Sequence, residues 1–231
     1  MLKNRLVLVP SAAEAEVVLD TLDPFLTINK TPYTVHKANG NGEDLLIIEC
    51  GVGPNLAAAA VAWSVAGFSL SEVTLVGIAG LTPNSSLALG ELVMISKVIS
   101  CRLGGMREGT FEGIDEVLPL ASYNSNVKTE LECSSNRLEL PKVTCVSSEY
   151  VSREKDDLKY LNQFEGAEVE AMETTGFAQA ASLMNVPWFE FRALSNHWGI
   201  SDHSKWEWDL CKEQLARAAK IIAEGPLRKY A

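Results

Sequence analysis

Several short apolar runs, in which polar residues do not alternate, constrain the fold of this chain more than any other feature. The clearest runs are RLVLV (residues 5–9), LLIIECG (45–51), VTLVGIAG (73–80) and WFEFRAL (188–194). A strand that is apolar on both faces is covered on both faces, which is typical of a parallel sheet packed between helices. The sequence therefore predicts an α/β protein.

Stretches with helical spacing separate these strands. They lie at residues 12–22, 56–66, 174–184 and about 205–223, with further strands at 91–100 and 143–148 and a hairpin turn, NGNG, at 39–42. VTLVGIAG is predicted to end in a tight glycine turn. No repeat or linker divides the chain, so we expect one domain over residues 1–231. The predicted fold is a three-layer sandwich, with a mixed, mostly parallel central sheet flanked by helices.

The strand ends predict where a ligand binds. In sheets of this kind ligands bind beyond the carboxyl ends of the strands. The segments that follow those ends are residues 10–16, 51–55, 77–80, 147–151 and 195 onward. These five segments form the candidate site before any motif is considered.

Charge and composition exclude several classes of partner. The formal net charge is −10, which argues against nucleic acid or an anionic membrane surface as the partner. The five cysteines are odd in number and have no CxxC spacing, as expected for thiols of a reducing compartment. We see no signal peptide and no stretch long enough to span a membrane. We expect a cytoplasmic protein.

Motifs for cofactors are weak. GVGPN at residues 51–55 follows a strand and opens a helix, either as a phosphate-binding turn or as a plain tight turn. It does not extend to GxGxxG, and no GxxxxGK[ST] pattern occurs. His197 and His203 lie near Asp202 but lack metal-ligand spacing. We expect no cofactor and no metal.

Three polar clusters have two interpretations each. Glu14 and Glu16 start a helix, either to complement its dipole or to supply a general base. Ser195 and Asn196 either cap the next segment or direct hydrogen-bonding groups into a pocket. The acids of EVEAMETTGFA, at residues 168–178, either complement the dipole of a helix that starts there or include a carboxylate that binds a sugar.

Taken together, three stretches resemble the nucleoside phosphorylase and nucleosidase superfamily. The first stretch, AAEAEV, is similar to the superfamily's AMEEEV segment. The second is GVGPNLAAAA with VTLVGIAGLTPNSSLALGELVM, which is similar to its glycine-turn strand and the strand after it. The third is VEAMETTGFA…VPWFEFRALSN, which is similar to its V-E-x-M-E…RAIS-[DN] signature. Within it, the extra residue in VEAME, the RALSN ending and a tryptophan ten residues later resemble the futalosine hydrolase family of the menaquinone route. The resemblance implies an α/β sandwich, a purine nucleoside as small-molecule partner, and a homodimer.

The resemblance also implies roles for individual residues. Glu173 would hold the ribose hydroxyls, and Met172 would lie against the sugar. Glu16 would activate the attacking water, with Glu14 as a helix-start or supporting acid. Gly80, and Tyr150 or Val151, would contact the substrate, the latter against the base.

Asn196 stands where adenine-specific nucleosidases have Asp. An amide NH₂ can donate to a 6-oxo oxygen, while the amide oxygen accepts from a protonated N7. The substitution therefore predicts hypoxanthine as the leaving base.

Hydrolysis is predicted over phosphorolysis, because GVGPN and GIAGL contain no Arg or Lys and Ile78 replaces a small polar residue of many relatives. Members of that family usually have an R-N-R cluster before the tryptophan, and the resemblance implies that it binds a carboxylate on the tail of the substrate. Here the corresponding stretch is SDHSKW. His203, Lys205 and Arg102 are the remaining candidates to bind that tail. Two alternatives stay open. One is a nucleosidase for aminofutalosine, methylthioadenosine or adenosylhomocysteine, and the other is a protein that binds nucleosides without cleaving them.

Overall fold

The computed structural model of the chain describes residues 3–83, 85–101, 104–113, 117, 130–134, 138–149, 163–164, 166–200 and 202–230. The strands are β1 (Asn4–Val9), β2 (Leu26–Lys30), β3 (Tyr33–Ala38), β4 (Leu45–Glu49), β5 (Leu70–Leu81), β6 (Leu92–Ser100), β7 (Gly104–Arg107), β8 (Thr110–Gly113), β9 (Glu130–Glu132), β10 (Lys142–Ser147), β11 (Val169–Ala171) and β12 (Trp188–His197). The α-helices are α1 (Ala12–Leu22), α2 (Pro54–Gly67), α3 (Thr174–Leu183) and α4 (Trp208–Glu224).

The described strands, apart from the β7–β8 hairpin, form one mixed sheet in the order β11-β10-β6-β12-β5-β1-β4-β3-β2, with β9 beside β6. Strands β4, β1, β5 and β12 pair in parallel, as do β6, β10 and β11, and the two blocks meet antiparallel at β12 and β6. Antiparallel pairing of β11 with the end of β5 curls the sheet. The predicted mixed sheet, with mostly parallel pairs, is confirmed.

Two separate cores explain why the strands are apolar on both faces. In β1, Leu6 and Leu8 pack in one core beneath α2 and α3, while Val7 and Val9 pack in the other beneath α1 and α4. Alternate residues of a strand point to opposite faces, so each face needs its own apolar set. The three-layer sandwich is therefore confirmed. None of the described helices is long and apolar enough to cross a membrane.

The tight glycine turn predicted at the end of VTLVGIAG is wrong, because β5 continues through Gly77 and Gly80 to Leu81. A Cβ on Gly77 would lie 2.6 Å from Nη1 of Arg192 and 3.1 Å from Oε1 of Glu14. The glycine therefore leaves space for two charged side chains. It does not reverse the chain.

The last described residues are bound to the N-terminal end of β5. The backbone N–H groups of Leu227 and Arg228 donate to the two carboxylate oxygens of Glu72, at 3.0 Å each. Glu72 is fully buried, and the Arg228 guanidinium also reaches it, at 3.3 Å. A buried carboxylate without such donors is costly, so this segment belongs to the folded core.

Candidate active site

A cavity of about 350 Å³ lies at the carboxyl ends of the central strands. Four of the five segments predicted from strand ends line it, and only residues 147–151 contribute no described residue to its wall. This volume lies within the range of small-molecule sites. The organisation of the strands alone was therefore enough to locate the site.

Glu14 is the acid that α1 directs into the cavity. Its Oε1 accepts from the Ile78 backbone N–H at 2.9 Å, and its carboxylate also accepts from the Ser11 hydroxyl. The side chain is 4% exposed. Burial raises the pKa of Glu14 above its usual value, and the Ser11 and Ile78 hydrogen bonds and the charge of Arg192 oppose that rise only in part. A carboxyl group with a raised pKa is suited to exchange a proton near neutral pH.

Of the two acids of α1, Glu14 lies on the cavity wall, and Glu16, the predicted general base, does not. Glu16 is exposed and contributes nothing to the cavity wall. Two residues along an α-helix are separated by roughly 200° of rotation, so Glu14 and Glu16 face different sides of α1. The Ser-x-x-Glu pattern at residues 11–14 could have identified Glu14, since Ser11 caps the helix and accepts from the Glu14 N–H.

Glu173 lies at the point where α3 begins, between two donors. Its Oε1 accepts from the Gly53 N–H at the start of α2, at 3.0 Å. Its Oε2 accepts from Nη2 of Arg192, at 3.1 Å. Glu173 is 4% exposed, so its carboxylate is fixed on the wall by the α2 N-terminus and by Arg192. Met172, half-buried, lies on the same wall.

Arg192 lies on the cavity wall and was not identified as a site residue from the sequence. Its Nε donates to Glu190 Oε1 at 2.7 Å and its Nη1 to the Ile78 carbonyl oxygen at 2.9 Å. Burial lowers the pKa of Arg192, but the carboxylates of Glu190 and Glu173 outweigh burial and raise it above its usual value. The arginine is therefore charged, and nearly all of its donors are used within the protein. The arginine of RALSN was the available signal, and it was interpreted only as part of a motif.

Ser195 and Asn196 both face the cavity, although they are neighbours on one strand. The register of β12 against β5 shifts here, with Leu194 opposite Ala79 and Asn196 opposite Gly80. Ser195 is the extra residue of this β-bulge, and a bulge redirects side chains that would otherwise alternate. Gly80 faces Asn196 across the bulge, and a Cβ there would make ordinary van der Waals contact with its Nδ2, at 3.4 Å.

The Asn196 amide already has partners inside the protein. Its Nδ2 donates to the carbonyl oxygens of His197, at 3.1 Å, and Ile200, at 3.4 Å. Its Oδ1 accepts from the Ser195 hydroxyl at 2.7 Å. The amide oxygen has a second lone pair for a ligand, whereas the NH₂ must release the longer bond before it can donate elsewhere.

Glu170, two residues before Met172, received no role from the sequence but belongs to the cavity wall. Glu170 is 8% exposed, lines the cavity and accepts from the Ser148 hydroxyl at 2.7 Å. Its place follows from the pairing of β11 with β5, which sets Glu170 opposite Gly80. Tyr150 and Val151, predicted to contact the base, lie outside the described residues.

One side of the cavity is formed by a short turn after β12. His203 and Trp206 line it, with ring centroids 4.4 Å apart, and the Trp206 indole N–H donates to the Ile200 carbonyl at 2.9 Å. Of the three candidates for the substrate's tail, His203 is therefore on the wall. The Lys205 side chain is 67% exposed and lies 3.9 Å from Asp202, and Arg102 lies outside the described residues.

The arrangement provides a buried acid on one wall, a fixed carboxylate on another and a neutral amide at the bulge. Within the described part of the chain, no cluster of His, Cys, Asp or Glu could hold a metal ion. Such a site can activate water with Glu14, stabilise a positive charge with Glu173 and hydrogen-bond a heterocycle with Asn196.

The chain is similar to known proteins over most of its length. The model of the phosphorylase superfamily matches residues 4–227. Futalosine hydrolase from Thermus thermophilus is 28% identical over 195 residues, which cover 81% of this chain and 86% of that protein.

Two solved structures share the fold. A methylthioadenosine/adenosylhomocysteine nucleosidase from Colwellia psychrerythraea, in complex with adenine, has a TM-score of 0.77 at 18% identity, covering 98% of each chain. A futalosine hydrolase mutant from Helicobacter pylori has a TM-score of 0.73 at 13% identity, covering 95% of this chain and 96% of that one. At these identities the likeness shows the fold alone.

Proposed function

This chain belongs to the phosphorylase superfamily, and we propose that it hydrolyses the N-glycosidic bond of a purine nucleoside, with futalosine as substrate and hypoxanthine as the released base. The observation that carries the proposal is the meeting of Glu14, Glu173 and Asn196 on one cavity. Similarity to the Thermus thermophilus futalosine hydrolase supports the choice of substrate, and with it a place in menaquinone biosynthesis.

The sugar would lie against Met172 with its hydroxyls on Glu173. Cleavage of the bond between the sugar and the purine leaves positive charge on the sugar, because the bonding electrons depart with the base. A carboxylate fixed by Gly53 N–H and Arg192 does not need to reorganise as that charge develops. Preorganised charge of this kind is usually the largest contribution to catalysis.

Glu14 would act as the general base. A water molecule attacks the anomeric carbon, and its proton passes to the Glu14 carboxylate. The raised pKa of Glu14 makes the carboxylate a better proton acceptor than an exposed glutamate. Arg192 lies beside it, since one Cβ position at Gly77 would contact both side chains. Its charge stabilises the ionised form that accepts the proton.

Asn196 would hold the departing purine. The departing purine takes a proton from solvent water at N7, and Oδ1 can then accept from that N7–H, because Ser195 uses only one of the two lone pairs. A 6-oxo oxygen would take the amide hydrogen that now reaches Ile200 at 3.4 Å, the longer of the two amide bonds. These two contacts together suit hypoxanthine.

We also propose that the chain is one domain and forms a homodimer. Val52 and Leu56 lie at the start of α2, beside the cavity, and are 51% and 49% exposed. Burial of these side chains by a second copy would cover the open side of the site. Sedimentation equilibrium of the wild type and of Leu56→Asp tests the dimer, and a monomeric wild type would contradict it.

The function is tested by incubating purified protein with futalosine, aminofutalosine, methylthioadenosine and inosine in phosphate-free buffer, with chromatography of the released base. We expect hypoxanthine from futalosine. Adenine release from the 6-amino substrates would instead support the alternative nucleosidase, and release from none would support a binding protein. Added phosphate should leave the rate unchanged, and formation of a sugar 1-phosphate would contradict hydrolysis.

A further inference from the structure

Glu190 is a buried acid to which the proposed function assigns no role. It lies two residues before Arg192 on β12, is fully buried and does not line the cavity. Its Oε1 accepts from Nε of Arg192 at 2.7 Å and from the Thr174 hydroxyl at 2.8 Å. Its Oε2 is buried without a hydrogen-bond partner among the described residues.

Stability alone does not account for this carboxylate. The strand around it faces an apolar core that includes Trp188, Leu194 and Phe177. Replacing a buried ion pair by apolar residues is often neutral or stabilising, and an unpaired buried oxygen adds a cost. Burial raises the pKa of Glu190 above its usual value, against the effect of Arg192, which is the mark of a charge held at an energetic cost. A reason beyond packing is needed.

The charges on the cavity wall supply that reason. Without Glu190, Glu173 would be the carboxylate left in direct ion-pair contact with the Arg192 guanidinium among the described residues, at 3.1 Å. A carboxylate and a guanidinium in contact present little net charge to a ligand. With Glu190 at 2.7 Å from Nε, one guanidinium is shared between two carboxylates, so the group of three carries one net negative charge when both carboxylates are ionised.

We propose that Glu190 is a positioning residue that acts through Arg192: by sharing the guanidinium charge, it leaves negative charge on Glu173, where the positively charged sugar of the transition state lies. This inference rests on the proposed function, because it concerns the charge that develops when the glycosidic bond breaks. Glu190 also fixes the start of α3 through Thr174, so the same residue holds the helix that presents Glu173.

The test compares two inhibitors that differ in charge. One carries a purine on a hydroxylated pyrrolidine, which is a cation at neutral pH, and the other carries it on the matching cyclopentane, which is neutral. In Glu190→Gln, which removes the charge and keeps the shape, we expect affinity for the cation to fall at least roughly tenfold, because at an effective dielectric constant near 20 even a charge about 12 Å away changes the affinity by that factor. Affinity for the neutral compound should change less than about threefold, and kcat should fall with little change in KM.

Thr174→Val is the matched control, since it keeps all charges and removes the hydroxyl that binds Glu190 and also accepts from Nη2 of Arg192, at 3.3 Å. It should change the affinities of both compounds by the same factor. If Glu190→Gln does not fold, Glu190→Met removes the same charge with an apolar chain. Equal losses for both compounds in the charge-removing variant would overturn the proposal, as would a wild type that does not prefer the cation. The proposed function fails separately, if the wild type releases no purine while the affinities still follow charge.

Discussion

Exchange of the carboxylate for an amide, at Glu14 and separately at Glu16, tests which of the two acids of α1 acts as the general base. Glu14→Gln keeps the size of the side chain and an oxygen that can accept from the Ile78 N–H, now 2.9 Å away. It removes the ability to take a proton from water. Glu16→Gln makes the same chemical change two residues on, at an exposed position, and serves as the control.

Loss of a positioned general base costs a factor of about 10² to 10⁴ in rate, or roughly 3–5 kcal/mol of transition-state stabilisation. We therefore expect kcat of Glu14→Gln to fall by that factor, while Glu16→Gln stays within about twofold of wild type. Base release is measured by chromatography between about pH 5 and 9. Wild-type activity should fall as the pH drops through the raised pKa of Glu14, and the variant should lack that limb.

The stability that Glu14 contributes should depend on pH in the opposite direction to the wild-type activity. Because burial raises the pKa of Glu14 above its ordinary value of 4.5, the folded protein holds this proton more tightly than the unfolded chain does. The stability that Glu14 contributes is therefore fully present below about pH 4.5 and is lost as the pH rises through the raised pKa. Glutamine does not titrate, so the Tm of Glu14→Gln relative to wild type should increase from acid to neutral pH. If Glu16→Gln lost as much activity as Glu14→Gln, or if Glu14→Gln stayed within tenfold of wild type, the assignment of the base would be refuted.

Three further substitutions test other parts of the structure. Asn196→Asp sets a carboxyl group against two backbone carbonyl oxygens, where it should bind a proton, and we expect the ratio of adenine to hypoxanthine release to rise; an unchanged ratio would contradict the role of the amide. Gly176→Ala would place a Cβ 1.9 Å from the Pro54 carbonyl oxygen, so the free energy of unfolding in urea should fall by about 1–3 kcal/mol. Removal of residues 226–231 leaves the buried Glu72 without its two backbone donors and should cost about 3–5 kcal/mol in the same assay, whereas a wild-type midpoint would show that this segment does not stabilise the core.

Most of the fold could be predicted because apolar strands and helical spacing are local properties of the sequence. The bounds of α1 (Ala12–Leu22) were predicted without error, and α3 and β10 were within one residue. The errors arose where tertiary contacts override local patterns. Gly77 looked like a turn residue, but its function is to leave space for Arg192. Helix α4 was predicted to start at about residue 205, but it starts at Trp208, because residues 203–205 form a 3₁₀ turn at the cavity.

The candidate site could be located from strand ends, but its residues were only partly identified. Glu173, Met172, Gly80 and Asn196 are on the wall as predicted, and their roles stay predictions. Glu16 was chosen by similarity to a motif, and only the helix phase set by the Ser11 cap separates it from Glu14. Arg192 and Glu190 were missed, because their contacts are with side chains distant in sequence, such as Glu173 and Thr174, which the pattern of the strand does not reveal.

Strand β12 carries Arg192, Ser195 and Asn196 and is bonded to β5 on one edge and to β6 on the other. Amide groups in such a strand exchange with solvent only when the whole sheet opens, so they should be among the slowest in the protein. The binding wall therefore exists only while the protein is folded, and the unfolded chain has no comparable affinity. A ligand of this site should then raise the free energy of unfolding by RT ln(1 + [L]/Kd). Thermal melting in the presence of candidate nucleosides can therefore rank their affinities without any turnover.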